Sequence, residues 1–144
     1  MNTVEQTTFR FGMAWVALCL CLAVHVTDEA LTGFLEVYNP TVLSIRRHLP
    51  FLPLPTFSFR VWLSGLVIGV CTLLLLALFA FRGARWMIPL AYLFAVLMLL
   101  NALVHLGGSV YFGRVMPGAY SAPLLLAGSL GLLWSARRLG RAKC

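Results

Sequence analysis

The chain has 144 residues, 61% of them hydrophobic and 10% charged, with a formal net charge of +7 and a mean hydropathy of +0.93. Soluble domains are about half apolar and a quarter charged, so this balance excludes an ordinary globular domain and points to a bilayer. The basic residues cluster at the ends of apolar runs, which marks them as topology signals and argues against nucleic acid as a partner.

A membrane span needs roughly 20 mostly apolar residues, and four stretches qualify, at about 11–30, 61–81, 86–106 and 119–136. The expected fold is therefore all-α, an integral membrane four-helix bundle forming a single domain over residues 1–144, with a short interfacial helix in the first loop. The first stretch is expected as a retained helix and not a cleaved signal, because no small-x-small site follows it and its helical pattern runs on into His25, Asp28 and Glu29. Cys19, Cys21, Cys71 and Cys144 form no C-x-x-C, and they read as small apolar fillers.

The first helix is expected to continue to about Tyr38, where Asn39-Pro40 interrupts it and caps a second start. From Asn39 to Leu49 the apolar Val42, Leu43 and Ile45 alternate with Arg46, Arg47 and His48, the pattern of a helix lying on the membrane surface. Pro50, Pro53 and Pro55 then exclude regular helix and predict an extended cover over one end of the bundle. The turn Arg82-Gly83-Ala84-Arg85 is tight, so the spans it joins are expected to be antiparallel neighbours. A third loop is expected from Gly107 to Gly118. The G-x-x-x-G pair Gly65 and Gly69 is expected to pack within the chain, a homodimer face being the alternative. With both termini and the second loop inside, seven basic residues (Arg10, Arg82, Arg85, Arg137, Arg138, Arg141 and Lys143) lie in the cytoplasm and four (Arg46, Arg47, Arg60 and Arg114) outside, which favours N-in, C-in. The expected location is a bacterial inner membrane, crossed several times.

Three of the four acidic residues, Asp28, Glu29 and Glu36, fall within nine positions just after His25. At about 100° per residue His25, Glu29, Thr32 and Glu36 share one helix face, with Asp28 flanking it. Asn101 and His105 stand one turn apart at the end of the third apolar stretch. Alternating spans bring both groups, and the Pro117-Gly118 entry to the fourth stretch, to the same end of the bundle. Ionisable groups near hydrocarbon cost a few kcal/mol, about 2.5–3.5 on insertion scales, unless paired or turned inward. The candidate catalytic residues are therefore His25, Asp28, Glu29, Asn101 and His105, expected to close one polar pocket with Asp28 at its rim.

His25-Val26-Thr27-Asp28-Glu29, then Asn101-Ala102-Leu103-Val104-His105, then Pro117-Gly118 resemble, in order, the three motifs of the H-x-x-E-E family of small bacterial membrane proteins, over residues of about 20–130. The chain departs from the pattern at Asp28, where the family has Glu, and at Val115, where it has Tyr. The resemblance implies a shared His/carboxylate site and no named reaction. Two imidazoles and a carboxylate from His25, Glu29 and His105 could hold a divalent metal such as zinc or iron, or act without one as acid and base on a lipid-like substrate. The alternatives are a small dimeric proton-coupled transporter and a non-catalytic membrane partner that uses Arg46 and Arg47 toward lipid headgroups or another subunit.

Overall fold

The computed structural model describes residues 2–143 and is all-helical over them: α1 Thr3–Leu31, α2 Phe34–His48, α3 Phe59–Phe81, α4 Met87–Phe112 and α5 Ala122–Ala142. Three of these, α1, α3 and α4, are long and apolar enough to cross a membrane. The fourth apolar stretch forms α5, whose last turns carry Arg137, Arg138 and Arg141. Cys144 lies outside the described residues; Cys19 is buried, Cys71 exposed, and both are free thiols, as is Cys21.

The first helix begins earlier than its apolar run because Asn2 and Glu5 form a reciprocal capping box, each side chain accepting from the other's backbone N–H at 2.8 and 2.9 Å. It is the strut of the molecule. Phe11, Trp15, Leu18, Leu22, His25 and Glu29 recur every three or four residues, and all are buried. One side of α1 packs on α3 and another on α5, while α5 packs on α4. Trp15 ties three helices together, donating its indole N–H to the Leu73 carbonyl on α3 at 2.8 Å and setting its ring 5.3 Å from that of Phe94 on α4.

Two expectations about packing are corrected here. Although joined by the tight turn at Gly83, where φ is +64°, α3 and α4 are not close neighbours; each turns to a different partner. On α4 the buried Ala91, Ala95 and Ala102 let the backbone approach α5, whose Ala122, Leu125, Ser129, Leu132, Ala136 and Leu139 repeat at alternating intervals of three and four. α3 packs mainly along α1, with Trp62 near its start stacked on Phe34 of α2. Gly65 and Gly69 face no other part of the chain within 4 Å, so they do not serve internal packing. The helical glycines that do are Gly12, where an added Cβ would overlap the Phe81 ring of α3, and Gly128, where it would meet Cys21 Sγ at 3.1 Å and Leu18 at 3.3 Å.

The first interruption also lies elsewhere than expected. The break between α1 and α2 is at Thr32-Gly33, with Gly33 left-handed at φ +76°, and α2 runs straight through Asn39 and Pro40. Asn39 caps nothing: its amide donates to the Phe57 carbonyl at 2.9 Å and accepts from the Phe57 N–H at 3.1 Å. That pair pins the Pro-rich segment across α2, helped by the Tyr38 hydroxyl donating to the Pro55 carbonyl at 3.2 Å. The segment from Leu49 to Ser58 is irregular, as its prolines require. Nor do Gly107 and Gly108 end α4, which continues to a left-handed cap at Gly113, φ +61°.

Candidate functional site

One end of the bundle collects the polar residues of three segments. His25 and Glu29, one turn apart on α1, are both buried; His105 comes from the last third of α4, also buried, and its ring lies 4.8 Å from that of His25 in an edge-to-face arrangement. Both imidazoles direct Nε2 at the same atom: His105 Nε2 is 3.1 Å and His25 Nε2 3.6 Å from Glu29 Oε1. One donor atom from each of the three residues falls within 4.8 Å of the others.

The opposite ring nitrogens are engaged by the turn before α5. His105 Nδ1 lies 2.5 Å from the Pro117 carbonyl, which can only accept, so Nδ1 carries a proton. His25 Nδ1 lies 2.8 Å from Ser121 Oγ. The single hydroxyl proton of Ser121 is drawn to Asp28 Oδ2 at 2.7 Å, with the Gly118 carbonyl at 3.2 Å as the other acceptor in reach. His25 Nδ1 must therefore be the donor in its own bond. Both imidazoles are thus fixed in the tautomer that leaves an Nε2 lone pair available, or in the imidazolium form.

Gly118 makes this closeness possible. Its φ is +80°, and a Cβ there would stand 2.9 Å from His105 Cε1 and Nδ1 and 3.0 Å from His25 Cε1. Only a bare backbone fits between the two rings. The Pro-Gly pair singled out in the sequence is therefore part of the site, Pro117 through its carbonyl and Gly118 through its lack of a side chain.

Other candidates fall differently. Asp28 reaches His25 only through Ser121. It is half-buried and turned to α5, where Oδ2 accepts from both the backbone N–H of Ser121, at 2.9 Å, and its hydroxyl. Asn101, half-buried, stands beside His25 without making a hydrogen bond of normal geometry to it. Thr32 turns away to the Asp28 carbonyl, 2.6 Å from it. The break at Gly33 removes Glu36 from the α1 face, yet its carboxylate folds back over that glycine, where a Cβ would meet Oε2 at 3.2 Å. Val115, in place of the family's Tyr, is 58% exposed and belongs to no part of the site. Ser121 is the residue that sequence reasoning missed. It looks like an ordinary helix-entry serine before Ala122-Pro123, and nothing local reveals that its hydroxyl bridges two other segments.

The arrangement leaves one polar atom unsatisfied. His25 Nε2 is wholly buried and has no hydrogen-bond partner among the described residues. Such orphans are rare because each costs about 1–3 kcal/mol. A proton shared between His105 and Glu29 would settle that pair and still leave His25 Nε2 alone. A metal ion would meet all three atoms: tetrahedral ligands at about 2.1 Å from zinc stand about 3.4 Å apart, near the 3.1 and 3.6 Å separations from Glu29 Oε1, and the three donor atoms as a set lie within 4.8 Å of one another. The hydrogen bonds on the two Nδ1 atoms are of the kind that orients histidines in metal sites.

A family model described as a protein of unknown function with HXXEE motif matches residues 12–130. No curated protein and no solved structure matches the chain. With four-fifths of its length matched, and with the three motifs meeting around Glu29, the chain belongs to the HXXEE family.

Proposed function

We propose that the protein is a membrane-embedded enzyme whose centre, His25, Glu29 and His105, holds a divalent metal such as zinc or iron and acts on a lipid-like substrate. The observation that carries this reading is the orphaned His25 Nε2 facing a carboxylate oxygen that His105 also faces. Three protein ligands leave a position open, and a metal so held makes bound water acidic or polarises a substrate oxygen. Asp28 and Ser121 orient His25, and Pro117 orients His105, so the ligands are held before anything binds.

The proposed setting is a bacterial inner membrane crossed four times. In support, Ser121 at the start of α5 bonds Asp28, while Trp134 and Arg138 near its end line a pocket with Arg10. Asp28 and Arg10 are eighteen residues apart on α1 (28 minus 10), or about 27 Å of helix. Over that length α5 runs beside α1 and covers nearly the same hydrocarbon thickness of about 30 Å. The Arg138 guanidinium stacks 3.8 Å above the Trp134 ring, as expected of a basic side chain reaching from a helix end to the interface.

Metal analysis of protein extracted in mild detergent tests the proposal. We expect about one transition-metal ion per chain, lost in His25→Ala and His105→Ala. Absence of metal, together with failure to take up added zinc or iron, would rule out the metal centre. The line Asp28–Ser121–His25 leading to Glu29 and His105 favours one second reading, an acid-base enzyme that moves a proton along it. Glu29→Gln then abolishes activity while helix content and detergent stability persist.

A further inference from the structure

A cavity of about 220 Å³ opens beside the site, where the start of α2 meets the start of α3. Its walls are the rings of Phe34, Phe59 and Trp62, and its polar edges are the carboxylates of Glu29 and Glu36. The rings form a continuous set. Phe34 stacks on Trp62 at 5.7 Å and 26°, Trp62 meets Phe59 at 6.0 Å, and Phe34 also touches the His105 ring at 5.9 Å. Among the described residues no Lys or Arg lies within 4 Å of either carboxylate, and the ion pairs that form are between Glu29 and the two histidines.

Chemistry narrows what such a space accepts. Phosphate and carboxylate groups are repelled by the Glu36 carboxylate, which pairs with no basic side chain among the described residues, whereas Glu29 is shared with the two imidazoles. A hard inorganic cation seeks a shell of oxygens, which three aromatic walls do not provide. An organic ammonium takes both features, since aromatic side chains attract its diffuse charge and the Glu36 carboxylate neutralises it. We propose that this cavity binds the ammonium head group of the molecule on which the protein acts, a trimethylammonium or related amine. The proposal rests on the reading of the neighbouring centre as catalytic, because only then does a head group held by Glu36 and Trp62 present its adjoining bonds to Glu29.

Titration calorimetry of choline into protein in dodecyl maltoside tests it, with 3,3-dimethylbutan-1-ol as the uncharged isostere. We expect saturable binding of choline, at least tenfold weaker binding of the isostere, and at least tenfold weaker choline binding in Trp62→Leu and in Glu36→Gln. Both variants keep the metal content of the unmodified protein. Equal binding of the isostere, or unchanged binding in Glu36→Gln, an exposed position, would overturn the proposal even if Trp62→Leu fails to fold. His25→Ala separates the two ideas: choline binding that survives loss of the metal-binding residues supports the cage independently, and metal without choline binding sinks the cage alone. Displacement of choline by a short-chain phosphocholine lipid assigns the head group to a lipid, and displacement by free amines alone assigns it to a soluble ammonium compound.

Discussion

At Gly118 two demands meet, a left-handed backbone and an approach to both imidazoles that leaves no room for a methyl group. An alanine there must open the turn or push His25 and His105 apart, at a cost of about 1–3 kcal/mol for the backbone alone. We expect Gly118→Ala to lower the midpoint of unfolding in detergent and to release bound metal, both measured on one preparation. A smaller change separates orientation from folding. Ser121→Ala removes the hydroxyl between His25 and Asp28, leaving Asp28 its bond to the backbone N–H but His25 Nδ1 with no partner, an expected loss of about 1–3 kcal/mol. Metal affinity should fall about 10–100-fold, as for other outer contacts of metal-binding histidines, and a competition titration against a chelator reads it. Unchanged affinity would mean that Ser121 does not position His25. The convergence of His25, Glu29 and His105 was legible in the sequence, because helical spacing and the cost of charge in hydrocarbon act on each segment separately. The role of Ser121 was not, since it depends on the rotation of α5 about its own axis, which no local pattern encodes. Asp28 was misplaced for the same reason: periodicity puts it beside the polar stripe, but only the position of α5 supplies the two donors that draw it away.

Among the elements, α2 departs furthest from its expected bounds, and the reason is a competition between two local signals. Asn39-Pro40 is a good helix entry, but Gly33 six residues earlier can adopt φ +76° without strain and lets Glu36 fold back over it. Once α2 has started at Phe34, Pro40 merely withholds one donor, and the Asn39 amide is free to clamp Phe57. The Pro-rich segment has no ladder or helix of its own, so this pair is its principal anchor. We expect Asn39→Ala to speed hydrogen exchange at the Phe57 amide about tenfold or more, from the loss of about 1–2 kcal/mol, and to expose residues 49–58 to protease. Metal content should not change. The basic side of α2 was readable from the alternation of Val42 and Ile45 with Arg46 and Arg47; Val42 is buried, while Leu43, read on the same apolar side, is exposed. The failure of α3 and α4 to pack was not readable, because a short turn fixes which helices follow one another and the small residues of α4 and α5 decide which ones touch.

For the molecule as a whole, orientation follows from charge and from the antiparallel course of α1 and α5. The start of α1 and the end of α5 share one level, where Arg10, Arg138 and Trp134 surround a common pocket and Lys143 Nζ donates to the Gly83 carbonyl in the turn between α3 and α4. Arg82, Arg85, Arg137 and Arg141 flank these same segments, so seven basic residues gather at that end, against four at the end that bears the site. Basic residues near span ends tend to be retained on the cytoplasmic side, so both termini and the second loop are expected inside. The centre at Glu29, with its cavity, the Pro-rich segment and α2, is then expected at the outer face. Reporter fusions are expected to give a cytoplasmic signal at Arg82 and after Ala142, and an external one at Pro53. The three positions distinguish three outcomes. A full reversal would invert the molecule and leave the site intact at the inner face. An external signal after Ala142, with the other two as expected, would mean that α5 does not cross, and the four-span architecture would be wrong. The expected pattern requires α5 to cross with α1, and any proton or metal taken up at Glu29 and the two histidines would then come from the outer side of the membrane.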